Sequence, residues 1–196
     1  MAYRKCFLGF LILCFSLVSL GLAEDYGLQY FLSKASSKAE ELSKKEKIEL
    51  LNRIDRTMEQ AQRIQVKLSQ VIQTGEVDIR YQDGKFWMSK LEKDKASIQT
   101  GMQQIELLKE KPVSLVPSII LYKTLKDLSS DFNAYNNVPS FSALVCDLAP
   151  DMELWADPVF YKLYLLPIAR SKDKGMEKGH PQPQKEKKLP PQGKKP

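Results

Sequence analysis

The pattern of apolar positions predicts one long helix over residues 43–74. Apolar side chains and one glutamine recur there at alternating intervals of three and four residues, the spacing of a single helical face. Ser43 and Glu46 have the spacing of a capping box, and Gly75 suits a C-terminal cap. A helix of about 30 residues is typical of a long bundle or a coiled coil. The recurring positions are Leu51, Ile54, Met58, Ala61, Gln65, Leu68 and Ile72.

Gln65 is the polar member of this apolar series. A buried amide costs stability, although it can specify how helices align. We expect Gln65 at the edge of the bundle, and the alternative is a core position in which it sets the register.

Residues 76–87 interrupt the helical pattern. Val77, Ile79 and Tyr81 alternate with charged residues, and the pair Asp83-Gly84 is typical of a type I′ turn. This range therefore predicts a tiny hairpin at the end of the bundle. A plain loop between two helices is an equal alternative.

Helical patterns resume after this break and continue to the end of the apolar part of the chain. We predict helices at about 86–110, from Pro117 to the Asn136 region, at about 140–149 and at about 151–169, where Pro158 should kink or divide the last one. Short connectors make long helices antiparallel neighbours. The fold class is therefore all-α, an up-down antiparallel helical bundle over 43–170 that follows a polar N-terminal segment at 24–42. The alternative is an elongated coiled coil that forms a homodimer through an exposed seam.

Residues 1–23 have the organisation of a signal peptide. Arg4 and Lys5 form a short positive start, and an apolar run of about 14 residues follows. Small residues near the end of the range predict cleavage between Ala23 and Glu24. The mature chain is then exported, either to the periplasm or into the secreted space. The alternative is an uncleaved membrane anchor, although the apolar run barely reaches the length that spans a bilayer.

The net charge of +6 is concentrated at the two ends of the chain. Residues 24–170 hold 20 basic and 21 acidic side chains, whereas 171–196 hold eight lysines and three acids. This last range is rich in lysine and proline, which predicts a disordered tail. Without arginine or aromatic residues, its lysines predict weak, salt-sensitive contact with an anionic surface and no specific nucleic-acid binding. The candidate contact residues are Lys185, Lys187, Lys188, Lys194 and Lys195.

Few residues of the mature chain are suited to catalysis or metal binding. Cys146 is the only cysteine that remains after signal cleavage, and its apolar neighbours predict a buried thiol. The alternative is an intermolecular disulfide in a homodimer. His180 is the single histidine and lies in the tail, so a catalytic triad or a zinc site is not expected. The sequence also lacks a glycine-rich phosphate loop, and we predict no catalytic residue, metal site or cofactor.

Two clusters in the C-terminal half carry the remaining candidate chemistry. The acids Asp147, Asp151, Glu153 and Asp157 lack the spacing of a calcium loop, so capping and surface exposure explain them. Eight aromatic residues fall at helical spacing, which predicts a core, and a groove for an apolar ligand is the alternative. They are Tyr122, Phe132, Tyr135, Phe141, Trp155, Phe160, Tyr161 and Tyr164.

Three functions follow from these observations in order of preference. The first is a non-enzymatic interaction or structural module of the cell envelope or secreted space, which predicts a filled core and an exposed apolar strip on the long helices. The second is a binder of a small apolar ligand or lipid through residues 120–166, which predicts an enclosed apolar cavity. The third is an enzyme, which predicts converging acids with shifted pKa values.

Overall fold

The computed structural model describes residues 26–37, 41–77, 81–145 and 148–177, and its helices make an all-α bundle. No strand occurs within these ranges. The fold class predicted from the apolar pattern is confirmed. The elements are α1 (Leu28–Ser36), α2 (Lys44–Thr74), α3 (Tyr81–Glu110), α4 (Leu115–Asn136), α5 (Pro139–Val145), α6 (Leu148–Leu154), α7 (Trp155–Leu165) and α8 (Leu166–Glu177).

The long helix α2 begins and ends where the sequence indicates. The Ser43 side chain accepts a hydrogen bond from the Glu46 backbone N–H, and the Glu46 carboxylate accepts one from the Ser43 backbone N–H. This reciprocal pair satisfies two donors that the first turn of a helix otherwise leaves free. At the other end, Gly75 adopts φ = 70°, a left-handed conformation that glycine accepts without steric cost.

The hairpin predicted at 76–87 is wrong, because α3 already begins at Tyr81. Asp83 lies in the first turn of α3, where its carboxylate interacts favourably with the helix dipole. The longer helix also places Trp87 against Phe141 of α5, with ring centroids 5.6 Å apart. This aromatic packing stabilises helix over the turn that Asp83-Gly84 favours locally.

Helix α4 begins at Leu115, so Pro117 lies within its first turn rather than before it. The missing N–H of proline costs nothing there, because first-turn N–H groups have no partner inside the helix. Further along the chain, the kink predicted at Pro158 is confirmed. Asp157 leaves the helical conformation (φ = −125°, ψ = 125°), which is the extended geometry preferred before proline.

Helices α2, α3 and α4 run antiparallel in turn, and α6 with the start of α7, as far as the kink at Asp157, runs antiparallel to α4. The Ser129 hydroxyl donates to the Ala149 carbonyl near one end of this last pair, and Tyr122 meets Asp157 further along it. These two helices thus pack along α4 and close the bundle. Fully buried side chains from every one of these elements form one core, among them Ile54, Leu91, Leu125, Phe132 and Phe160.

Gln65 lies inside the bundle, so the edge position that we favoured for it is wrong. Its side chain is 3% exposed and donates to the Leu91 backbone carbonyl on α3, at 3.2 Å. It also donates to the Ser69 hydroxyl. These two bonds offset the cost of burying an amide, and the bond to Leu91 ties α2 to one register against α3.

The segment predicted as polar at 24–42 contains α1, which packs against α7. Phe31 of α1 is fully buried, and its ring lies 6.0 Å from that of Trp155. Glu46 joins α1 to α2 by accepting hydrogen bonds from Tyr30 and Lys34. Burial alone would raise the pKa of Glu46, but these bonds and those from Ser43 outweigh it and lower the pKa to about 2.

Helix α8 continues to Glu177, within the range 171–196 for which we predicted a disordered tail. Along the part of the chain that the structure describes, no helix has both the length and the apolar character needed to cross a bilayer.

Candidate functional site

The connection between α3 and α4 exposes a group of aliphatic side chains, which we call the α3–α4 corner. Val116 and Ile119 lie on the outward face of α4 and are 65% and 48% exposed, and Val113 in the connector is 68% exposed. Apolar surface in water carries a free-energy cost that burial against a partner would remove. The corner consists of Leu107, Val113, Val116, Ile119 and Ile120.

Helical spacing explains why the corner forms a stripe. Positions 116, 119 and 120 follow the i, i+3, i+4 rule and therefore share one face of α4. The opposite face carries Ser118 and Leu121, which are fully buried in the core. Further along the outward face the chain becomes polar, with Lys123 paired to Asp127 in solvent. The apolar stripe is thus confined to the end of α4 that adjoins the connector.

A second candidate site is a polar cluster inside the interface between α3 and α4. Asp94 of α3 has no exposed surface, and its Oδ2 accepts a hydrogen bond of 2.5 Å from the Tyr135 hydroxyl of α4. One turn earlier on each helix, Lys90 and Asp131 form a salt bridge that is mostly shielded from solvent. The Lys90 ammonium also lies 5.5 Å from the centre of the Tyr135 ring.

The electrostatics of this cluster follow from its burial. Burial raises the pKa of Asp94 to about 7, and the neighbouring Asp131 adds to the rise, whereas Tyr135 and Lys90 oppose it. Burial and the Asp94 carboxylate likewise raise the pKa of Tyr135, so its hydroxyl keeps its proton. The cluster therefore combines a permanent donor with a carboxyl that can exchange a proton near neutral pH.

A third, exposed cluster lies where α4 meets α7. The Tyr122 hydroxyl donates to both oxygens of Asp157 at 3.2 Å, and Lys126 pairs with Asp157 and Glu153. Burial and the Asp157 carboxylate raise the pKa of Tyr122. Glu153 and Asp157, two of the four acids in the predicted cluster, thus form salt bridges with Lys126. Asp151 is exposed, as predicted, and Asp147 lies outside the described residues.

The aromatic residues of the C-terminal half mainly form the core. Six of the eight are buried, Tyr122 is half-buried, and Tyr161 is exposed against it. Leu125, Phe132, Val159 and Phe160 have no surface that a water molecule could reach, from outside or from a cavity. A cleft at the surface of α4, lined by Lys126, Ser129, Ser130, Asn133 and Glu153, is open and polar.

Several of the predicted site residues lie outside the part of the chain that the structure describes. The cleavage site at Ala23 and Glu24, the thiol of Cys146, and the tail lysines Lys185, Lys187, Lys188, Lys194 and Lys195 all lie outside the described residues. Those predictions therefore stand as predictions.

Sequence reasoning missed Asp94, although the sequence contained a signal for it. Asp94 lies three residues after Leu91 and four before Ile98, and this spacing puts it on the same helical face as these two apolar residues. A charged residue at an inward position requires a partner across the interface. The identity of the partner, Tyr135, depends on how α3 and α4 align, which spacing within one helix does not specify.

The described residues contain no group of three or more His, Cys, Asp or Glu side chains able to hold a metal ion. Asp94 and Asp131 are two carboxylates, and Lys90 already supplies the positive charge beside them. The chain was compared with family models, curated proteins and solved structures, and none of them matches it.

Proposed function

We propose that this chain is an exported, non-enzymatic helical-bundle protein that acts as an interaction or structural module of the cell envelope or secreted space. The observation that carries the proposal is the α3–α4 corner, where a rigid bundle exposes a stripe of aliphatic side chains beside a filled core. Such a stripe gains stability when a partner covers it. Export rests on the signal-like range 1–23, and the mature chain is expected to begin at Glu24.

The polar cluster does not favour an enzyme, although it brings two acids together as an active site would. Asp94 and Tyr135 have no exposed surface, so a substrate could not come within hydrogen-bonding distance of either side chain. The partly exposed members, Lys90 and Asp131, are occupied with one another. A structural role therefore accounts for the cluster better than proton transfer to a substrate.

The ligand-binding alternative has less support than the interaction module. It requires a cavity between α4 and α7, where the facing side chains Leu125, Phe132 and Phe160 are in close contact with the core and have no accessible surface. Accommodating a ligand there would require separating α4 from α7.

Site-specific crosslinking tests the proposal. A photo-crosslinking residue replaces Val116 in the corner, and in a second variant it replaces Val66, which is 58% exposed on α2 between polar neighbours. Both full-length chains are expressed in the native cell and irradiated. We expect a discrete protein adduct from position 116 and none of that mass from position 66, because the stripe and not general exposure attracts the partner.

The triple variant V116S/I119S/I120S completes the test. It should keep the wild-type circular dichroism spectrum and lose the partner that copurifies with wild-type protein, whereas Val66→Ser should retain it. Equal adducts at positions 116 and 66, or a partner that persists in the triple variant, would contradict the corner as the binding surface.

A further inference from the structure

The polar cluster between α3 and α4 consists of two side chains from each helix. The two side chains on each helix are one turn apart in sequence. Lys90 and Asp94 lie on α3, and Asp131 and Tyr135 face them from α4. Tyr135 satisfies Oδ2 of Asp94, while Oδ1 has no hydrogen-bond partner among the described residues although it is fully buried. The Asp131 carboxyl lies close enough to Asp94 to raise the pKa of Asp94.

The charge of this cluster balances only when it holds a proton. Lys90 contributes one positive charge, and the two carboxylates contribute two negative charges when both are ionised. A net negative charge would then lie in an interface where Asp94 has no contact with solvent, which is costly. One proton on Asp94 removes that charge and gives its unpartnered oxygen a hydrogen to donate.

We propose that Asp94 and Asp131 form a proton-sharing carboxyl pair that acts as a pH-sensitive clasp between α3 and α4. With its proton, the pair adds a hydrogen bond across the interface beside the Lys90 salt bridge. Without it, two carboxylates repel one another across the same interface. Acidification therefore tightens the packing of α3 on α4, and alkaline pH loosens it.

The charged and titratable groups that face Asp94 determine the pH range in which the clasp responds. Lys90 comes from its own helix, and Asp131 and Tyr135 come from α4. Helix α5, which packs on Tyr135 through Phe141, contains no charged residue. On the other side of α3, α2 presents the uncharged amide of Gln65. Because these groups include one cation against two carboxylates, they do not offset the burial that raises the pKa of Asp94.

The sign of the effect follows from proton linkage. Burial raises the pKa of Asp94 from its ordinary value of 3.8 to about 7 in the folded protein. Between these values the folded state holds a proton that the unfolded state releases, so rising pH favours unfolding. The equilibrium constant for unfolding should rise by up to tenfold for each pH unit between about 4 and 7. Glu46 has the opposite effect and acts mostly below this window, between its folded pKa of about 2 and its ordinary value of 4.5.

Urea unfolding of the full chain from pH 5 to pH 8 tests the clasp. Asp94→Asn imitates the protonated carboxyl, since its amide can donate to Asp131 and its oxygen can accept from Tyr135. We expect the unfolding constant of wild type to rise with pH more steeply than that of D94N, by up to tenfold per unit. The control Glu92→Gln removes an exposed carboxylate two residues before Asp94 and should keep the wild-type slope.

Two results would overturn the proposal. One is a D94N variant with the same pH dependence as wild type. The other comes from carboxyl carbon NMR on the wild-type protein, which does not depend on whether D94N folds. There we expect one aspartate resonance to titrate near pH 7, and Tyr135→Phe to move that titration upward, because the Tyr135 hydrogen bond lowers the pKa of Asp94. If every aspartate titrates below about pH 5, the pair does not hold its proton.

Discussion

At the scale of single residues, two buried tyrosines show that the cost of burying a hydroxyl depends on its hydrogen-bond partner. Tyr135 and Tyr164 are both fully buried, and burial raises the pKa of each. The Tyr135 hydroxyl donates to Asp94, whereas the Tyr164 hydroxyl has no hydrogen-bond partner among the described residues. The Tyr164 hydroxyl therefore bears the cost of desolvation without a hydrogen bond in return.

Replacing each tyrosine with phenylalanine should have opposite effects. Tyr135→Phe leaves a buried carboxyl without its donor and should lower the free energy of unfolding by about 1–3 kcal/mol. Tyr164→Phe removes an unsatisfied hydroxyl and should leave stability unchanged or raise it by up to about 1 kcal/mol. Urea denaturation at pH 7 measures both. A loss in Tyr164→Phe as large as that in Tyr135→Phe would mean that the Tyr164 hydroxyl has a partner.

The sequence contains a signal for the position of such residues but none for their partners. Periodicity within one helix puts Gln65 and Asp94 on inward faces, although we expected Gln65 at the bundle edge and missed Asp94. Their partners, the Leu91 carbonyl and the Tyr135 hydroxyl, come from neighbouring helices. Only the alignment of the helices, which depends on the whole core, brings these groups within hydrogen-bonding distance.

At the scale of elements, a glycine in the middle of α3 reflects how closely three helices approach. A Cβ at Gly101 would lie 2.8 Å from Met58 Cε on α2 and 3.2 Å from Thr124 Cγ2 on α4. A Cβ at Gly84, near the start of the same helix, would meet Ile72 Cγ2 at 3.9 Å, an ordinary contact. Gly101 therefore permits close packing, whereas Gly84 mainly costs helix stability.

Alanine at these two positions should separate helix propensity from packing. Gly84→Ala should raise the free energy of unfolding by about 0.5–1 kcal/mol, because alanine restricts the unfolded chain and favours helix. In Gly101→Ala the same gain is opposed by crowding, which costs about 1–3 kcal/mol in a packed core. Chemical denaturation should therefore rank G84A above wild type and G101A below G84A. Equal gains in both variants would mean that Met58 on α2 and Thr124 on α4 move aside without a measurable cost in stability.

The sequence predicts the long elements well because many apolar positions agree over their length. The capping box and Gly75 also specify the ends of α2. The start of α3 was missed because Asp83-Gly84 favours a turn locally, whereas the packing of Trp87 on Tyr135 and Phe141 favours helix. Local turn propensity is small compared with the burial of an aromatic ring, so the tertiary contact prevails.

At the scale of the whole molecule, charge and apolar surface are separated along the chain. Residues 24–170 hold nearly equal numbers of acidic and basic side chains, and the α3–α4 corner that we propose as the binding surface lies within them. After the predicted removal of residues 1–23, which carry Arg4 and Lys5, the excess positive charge lies in 171–196, beyond most of the described helices. Binding through the corner and contact through the tail should therefore respond differently to salt.

Removing residues 178–196 should test that separation. The truncated chain should unfold at the same urea concentration as wild type, because every buried residue of the described core lies before this range. Retention on vesicles of phosphatidylglycerol and phosphatidylcholine should fall, since each lysine near an anionic surface contributes about 1 kcal/mol. Replacing Lys185, Lys187, Lys188, Lys194 and Lys195 with glutamine should reproduce the loss. Vesicle retention that survives both changes would assign anion contact to the bundle itself.

The contact between Phe31 and Trp155 also affects the order in which the chain can fold. Helices α2, α3 and α4 meet through short connectors and can pair as soon as each has been synthesised. Helix α1, although it is made before them, makes its aromatic contact with α7 only when Trp155 has emerged. Until then Phe31 can stack only on Tyr26 and Tyr30 of its own segment, and the side of the ring that later meets Trp155 is open to a chaperone or a second nascent chain. The earliest helix of the bundle thus completes its packing late, and chains interrupted before Trp155 should aggregate through this end.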